Sequence, residues 1–233
     1  MYRLLLLFPI LSISCVVPAP ISQVTPSEET QFFWTNGREV LTQFKDSISV
    51  ELSYYDKQEE LFIYDVTITN MKDRAITVDP TQFYYLPVSE KGDTLQTVTA
   101  INPENKILEQ QIKISKLDAQ RKRELNQLLI FGSLELIDDI TNNSEPDEYP
   151  NSVDIYNYEV AEIDYQSLNT FEQKAYWENQ SLRKTTLFAE YYTSGQIYLR
   201  YKKDITKIGL FFTFEDTVFE FWFNHSLITH REF

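Results

Sequence analysis

Two periodicities share this chain, and their order constrains the fold more than any single motif. In residues 47–54 (Ser-Ile-Ser-Val-Glu-Leu-Ser-Tyr) polar and apolar side chains alternate strictly, the period of a half-buried strand. The run Leu61-Phe62-Ile63-Tyr64 opens a second strand that is apolar on both faces, as an inner strand would be. Short β-branched or aromatic runs follow at 75–78, 82–88 and 94–101, separated by polar turns. The period then changes. Asn102-Pro103-Glu104 is a helix start: a capping amide, proline at the first helical position and an acid in the first turn. Helical spacing is expected to about residue 114, and in a second helix from about 118, which Gly132-Ser133 bends or ends. A loop is expected at 141–152. Thr170-Phe171-Glu172-Gln173 reads as a capping box, opening a helix to about Ser181. Strand patterns return at 182–188, 196–201, 207–214 and 217–223. The last two form a hairpin across Glu215-Asp216, with Phe219, Phe221 and Phe223 on one face.

The fold class expected is mainly β with an α insertion: an immunoglobulin-like antiparallel β-sandwich interrupted by a helical segment, the strands on either side sharing one core. The boundaries read as a signal segment at 1–14, a lipidated N-terminus and tether at 15–35, and a first sandwich part at 36–101. An acidic helical insertion follows at 102–181, then a second sandwich part at 182–225 and a C-terminal tail at 226–233.

The first residues read as an address. Arg3 precedes a short apolar run from Leu4 to Leu11, too short for a bilayer span, which needs about 20 residues, and fit for the core of a secretory signal. Leu11-Ser12-Ile13-Ser14-Cys15 resembles a bacterial lipobox, with small Ser14 before the chain's one cysteine. Cys15 is the predicted lipid-attachment residue, because several acyl chains on one cysteine anchor stably. Val16 after it, and the lack of an acidic cluster there, point to the periplasmic side of the outer membrane. The following Val16-Val17-Pro18-Ala19-Pro20 and the Ser- and Thr-rich residues beyond read as a tether.

Composition narrows the function classes. The net charge is −14, which argues against nucleic-acid binding, since that needs a basic face to displace counterions. Five glycines leave no phosphate-cradling loop, and one Cys with two His supplies neither a disulfide framework nor a zinc finger. The charge is local: residues 124–173 hold twelve acids and no Lys or Arg. Asp138, Asp139, Glu145, Asp147 and Glu148 could supply oxygens to calcium, but the spacing fits no EF-hand and a solvated acidic stretch is the simpler reading. That stretch is the place for a protein partner. Arg121-Lys122-Arg123 beside it offsets the charge along the helix. Tyr54, Tyr55, Tyr84, Tyr85, Tyr191 and Tyr192 could form a sugar-stacking platform, though strand aromatics are more often core. His225 and His230 read as exposed and chemically idle. Asn142-Asn143-Ser144 matches a glycosylation sequon of no expected consequence in a bacterial chain.

Two segments resemble known proteins. Asp65-Val66-Thr67-Ile68-Thr69-Asn70, then Ala75-Ile76-Thr77-Val78-Asp79-Pro80 and Phe83, resembles the first half of an immunoglobulin-like domain common in bacterial lipoproteins. Glu172-Gln173-Lys174-Ala175-Tyr176-Trp177-Glu178-Asn179, leading into Leu182-Arg183-Lys184-Thr185-Thr186-Leu187 and then Ser194-Gly195-Gln196-Ile197-Tyr198, resembles a group of uncharacterised Bacteroidota lipoproteins. Ala189-Glu190-Tyr191-Tyr192 departs from the Pro-Gly often found before that strand. The resemblance spans most of 45–223. It implies a sandwich with helices between its halves and a strand-ending Asn70 that caps a turn, and it brings no reaction or ligand.

The expectation is therefore a lipid-anchored envelope protein that is not an enzyme: a binding or structural accessory module with no catalytic residue, no cofactor and no metal. A carbohydrate-binding lipoprotein is the alternative, and a hydrolase using paired carboxylates the weaker one.

Overall fold

The computed structural model describes residues 20–27, 31–142 and 152–228, with backbone alone for 131–142 and 152–156. Along the chain come β1 (Ile21–Pro26), β2 (Phe32–Thr35), β3 (Arg38–Lys45), β4 (Ile48–Gln58) and β5 (Leu61–Asn70). Then follow β6 (Ile76–Val78), β7 (Tyr84–Ser89), β8 (Val98–Thr99), and the helices α1 (Pro103–Asn142) and α2 (Ser152–Gln180). The chain finishes with β9 (Thr185–Leu187), β10 (Tyr192–Arg200), β11 (Ile205–Phe214) and β12 (Thr217–Ile228).

These strands make two five-stranded antiparallel sheets, in the orders β1-β12-β11-β7-β8 and β10-β5-β4-β3-β2, with β6-β9 as a small separate ladder. The molecule is a β-sandwich with a helical insertion. Each large sheet mixes strands from before and after the helices, so neither half closes alone. The alternation of β4 and the all-apolar opening of β5 put Val50, Leu52, Phe62, Tyr64, Val66 and Ile68 inside. Phe219, Phe221 and Phe223 are buried together, and the hairpin β11–β12 turns at Glu215-Asp216 as expected. Rings meet across the sheets, Tyr64 with Phe223 at 5.4 Å and Phe62 with Tyr85 at 6.3 Å between centroids.

Two expected boundaries move. Residues 21–26, read as tether, form β1, which pairs with β12 from Ile21↔Ile228 to Pro26↔Phe223. The same pairing takes 226–228 out of the expected tail. Residues 32–35 also leave the tether, as β2.

The helices are longer and simpler than the sequence suggests. The start at Pro103 holds, with the Glu104 amide donating to Asn102 Oδ1 at 3.0 Å. The expected break near 114 is absent, and Gly132-Ser133 neither ends nor divides α1. An interior glycine costs about 1 kcal/mol against alanine, too little to stop a helix that already lies along a partner. Thr170 is no cap. It sits fully buried inside α2, its hydroxyl donating to the Gln166 carbonyl at 2.7 Å.

Asn70 closes the sandwich where its strands turn. It is fully buried. Its amide Nδ2 donates to the Arg74 carbonyl at 2.8 Å and the Leu187 carbonyl at 3.0 Å, while Oδ1 accepts from the Lys72 amide at 3.0 Å. One side chain thus caps the turn after β5 and fastens the end of β9. Tyr64 is its opposite: equally buried, but its hydroxyl has no partner among the described residues, and burial holds its pKa well above the ordinary phenol value. Unmade hydrogen bonds to buried groups cost about 1–3 kcal/mol each. Asn70→Ala, which orphans three backbone groups, is expected to lower unfolding free energy by about 3 kcal/mol in urea titrations, whereas Tyr64→Phe should be neutral or raise it by about 1 kcal/mol.

Candidate functional site

The helical insertion is an antiparallel coiled coil. Inward positions of α1 run through 103, 107, 110, 114, 117, 121, 124 and 128, and those of α2 through 160, 163, 167, 170, 174 and 177. Steps of four and three alternate, giving the 3.5-residue period of a left-handed coil. Ile107, Leu117 and Ile163 supply its buried apolar seam. Gln110, Arg121, Glu124, Ser167, Thr170 and Lys174 occupy the same seam, and these polar residues hid the heptads. At 1.5 Å per residue, the 40 residues of α1 make an arm about 60 Å long.

Charge along the arm is organised in pairs. Arg121 reaches Asp164 of α2 at 2.6 Å, Lys122 meets Asp118 at 2.8 Å and Arg123 meets Glu124 at 3.0 Å. The basic triplet therefore offsets neighbouring acids, as expected. Of the acidic stretch, Glu159, Glu162, Asp164 and Glu172 lie on the described surface of the arm, and Glu124 is buried in its seam. Glu145, Asp147, Glu148 and Ser144 fall outside the described residues, as do the side chains of Glu135, Asp138, Asp139 and Asp154. No group of three or more metal-type ligands occurs among the described residues.

One flank of the arm is apolar and exposed. Heptad geometry places Leu108 and Ile112 of α1, and Tyr165, Leu168 and Phe171 of α2, at or beside the e, b and f positions. In an antiparallel pair the e positions of both helices border the same side, with b beside them, so Leu108, Leu168 and Phe171 share a flank, while Ile112 and Tyr165, at f, lie on the outer faces of their own helices. All are exposed, from 47% at Ile112 to 62% at Tyr165. Apolar side chains left exposed together on one side of a helix pair are candidates for an interaction surface.

At its base the arm is locked to the sandwich. Glu104 and Arg183 form a bidentate pair at 2.6 and 2.8 Å, and the guanidinium holds the Glu104 carboxyl below its ordinary pKa. Trp177 packs on Tyr198 with centroids 4.4 Å apart. Tyr176 and Tyr198 both donate to Gln196 Oε1, at 3.2 and 2.9 Å. Gln196 Nε2 in turn donates to Asp65 at 3.1 Å, and Asp65 pairs with Arg38 at 2.5 Å.

Arg38 leads to a cleft of about 400 Å³ between β1 and the strands β2, β3 and β4, walled by Ile21, Gln23, Trp34, Glu39, Tyr54 and Tyr55 among others. Its guanidinium lies 4.3 Å from the Tyr55 ring centroid. A second cleft, of about 470 Å³, lies beside the arm's base at Asn102, Lys106 and Lys202. Each holds one carboxylate, Glu39 or Glu109, so neither assembles the facing pair that glycoside hydrolysis needs.

The remaining sequence candidates scatter. Cys15 and His230 lie outside the described residues. Of the six tyrosines, Tyr85 is core and donates to the Arg200 carbonyl at 2.7 Å. Tyr84 stacks on Phe211 at 5.0 Å, Tyr54 and Tyr55 border the β1 cleft, and Tyr191 and Tyr192 are exposed at the start of β10. They form no single platform.

His225 is neither exposed nor idle. It is buried between Phe62 and Tyr201. Nδ1 lies 2.8 Å from the Ile205 carbonyl, which can only accept, so Nδ1 carries the proton and Nε2 accepts from the Ser22 hydroxyl at 2.7 Å. That bond fastens β1. No family model, curated protein or solved structure matches this chain.

Burial first, and the Lys57 charge as well, lower the His225 pKa below 6.5, against the opposing bond to Ile205. Below about pH 6.5 the unfolded chain therefore takes up the proton before the folded one. Stability should be fully expressed above that pH and fall as acid carries the solution down through the folded pKa. Urea midpoints measured from pH 7.5 to 5 are expected to decline more steeply for the parent than for His225→Gln.

Proposed function

We propose that this chain is a lipid-anchored bacterial envelope protein, tethered through Cys15 at the periplasmic side of the outer membrane, and that it works without catalysis as a binding module. Its sandwich holds the coiled-coil arm, and the arm takes the partner. The observation carrying this reading is the exposed apolar flank of Leu108, Leu168 and Phe171. The lipobox-like Leu11-Ser12-Ile13-Ser14-Cys15 and the resemblance to Bacteroidota lipoproteins support the anchor. No helix among the described residues is long and apolar enough to cross a membrane. The carbohydrate alternative would need a gathered tyrosine platform, and the six tyrosines stand apart.

The partner is an amphipathic helix of another protein, with basic residues beside its apolar stripe. A third helix laid along the flank would extend the coil by the same seam chemistry. Charge selects its composition: a second copy would bring another block of twelve acids, without Lys or Arg over 124–173, against the first, whereas basic neighbours are attracted and steered.

Photo-crosslinking in intact cells tests this. A photoreactive residue at Leu108 or Leu168 should yield the same discrete adduct, and one at Glu109 or Glu162 on the opposite flank should not. Leu168→Asp together with Phe171→Ser should reduce the adduct at least tenfold without altering helical circular dichroism. Equal labelling from both flanks would refute the reading, and an adduct with the mass of two copies would replace the partner with self-association.

A further inference from the structure

Strand β2 is the most exposed strand of the sandwich. Phe32, Phe33, Trp34 and Thr35 are all exposed, Trp34 to 65%. It is also an edge strand, bonded only to β3, and it carries neither the lysine nor the proline that usually protects such an edge. Phe32 and Trp34 share one side, with ring centroids 6.2 Å apart.

The position of this strand gives the exposure a meaning. Trp34 borders the β1 cleft together with Ile21, Arg38, Tyr55 and Ile228. Ile21 begins β1 and is 66% exposed. The described chain therefore enters the sandwich beside the aromatic mouth of this cleft. Only five residues separate Cys15 from Ile21, and the six steps between them span at most about 20 Å when extended. Acyl chains on Cys15 would hold this end of the molecule within that distance of the bilayer.

The side chains match what a bilayer surface accepts. Tryptophan and tyrosine concentrate at the headgroup level, where one end of the ring is apolar and the other wet. Phenylalanine and isoleucine can enter the acyl boundary beside them. Arg38, set over the Tyr55 ring and paired with Asp65, would lie at the level of lipid phosphates beside them.

We propose that the mouth of the β1 cleft, formed by Ile21, Trp34 and Tyr55, together with Phe32 against the Trp34 ring, is a second membrane contact that lies in the headgroup layer beside lipidated Cys15. This rests on the lipid-anchor reading for its orientation. The acyl chains set the height of the protein and the aromatic mouth sets its rotation. The sandwich then stands in one orientation on the membrane, and the arm leaves at a defined angle.

Depth-dependent quenching of Trp34 tests it. The full protein, extracted from cell membranes, is reconstituted into phosphatidylethanolamine–phosphatidylglycerol vesicles (3:1) with or without lipids brominated in the upper acyl chain. The chain has three tryptophans, so Trp34→Phe leaves Trp177 and Trp222 as internal controls. Bromolipid is expected to quench the parent, with Trp34→Phe lowering that quenching at least threefold and Phe32→Ser lowering it at least twofold. Equal quenching in parent and Trp34→Phe, or failure of the parent to associate with vesicles, would overturn the contact. Intact mass of the extracted protein beside Cys15→Ser judges the anchor separately: an acylated parent with unquenched Trp34 sinks the contact alone, and an unacylated parent with quenched Trp34 sinks the anchor alone.

Discussion

Strand β10 is bonded on both sides, and the architecture depends on it. One edge pairs with β5 over nine residues, from Tyr192↔Thr69 to Arg200↔Leu61. The other edge takes up both ends of the helical excursion: Ile101 donates its amide to the Tyr198 carbonyl and Leu182 to the Gln196 carbonyl, each at 2.8 Å. Gly195 makes this possible. A Cβ there would meet the Leu182 backbone nitrogen at 2.6 Å, closer than atoms pack. The edge that the insertion would otherwise leave open is the edge that seats it.

Buried polar groups divide the molecule's labour. Asn70 and His225 each satisfy backbone or hydroxyl partners far away in sequence, Leu187 for one and Ser22 for the other. Such groups specify which strands meet, because an alternative pairing would leave them unbonded in an apolar interior. The apolar core supplies the driving force for collapse, and these two side chains select the register. The arm uses a looser rule. Its seam mixes Ile107, Leu117 and Ile163 with Gln110, Thr170 and Lys174, and it relies on length and on ion pairs such as Arg121–Asp164.

The sandwich was largely legible in the sequence because its signals are local. Alternation in β4, the apolar opening of β5 and the aromatic face of β12 each declare a strand within a few residues. The start of α1 was legible for the same reason, as Asn102 and Pro103 cap it. The illegible parts are those decided at long range. β1 contains Ser22, Gln23, Thr25 and Pro26 and buries only Val24 and Pro26, so only its pairing with β12, some two hundred residues away, makes it a strand. His225 looked exposed for want of that partner. The coiled coil is masked in the sequence because six of its fourteen seam positions are polar, and Thr170-Phe171-Glu172-Gln173 imitates a helix start in the middle of α2. The apolar flank depends in turn on knowing which way the two helices face.

The two junctions of the insertion have a further consequence. Ile101 and Leu182 are eighty-one positions apart in the chain but bond carbonyls only two residues apart on β10. The arm is thus attached at a single spot, and its length is independent of the sandwich. Adding or removing one heptad from both helices would move its tip by about 10 Å and leave every strand pairing unchanged. Evolution can treat such an arm as a ruler. A related chain could span a wider or narrower gap between a membrane and its partner by insertion and deletion alone, with the same sandwich, the same junction and the same glycine beneath it.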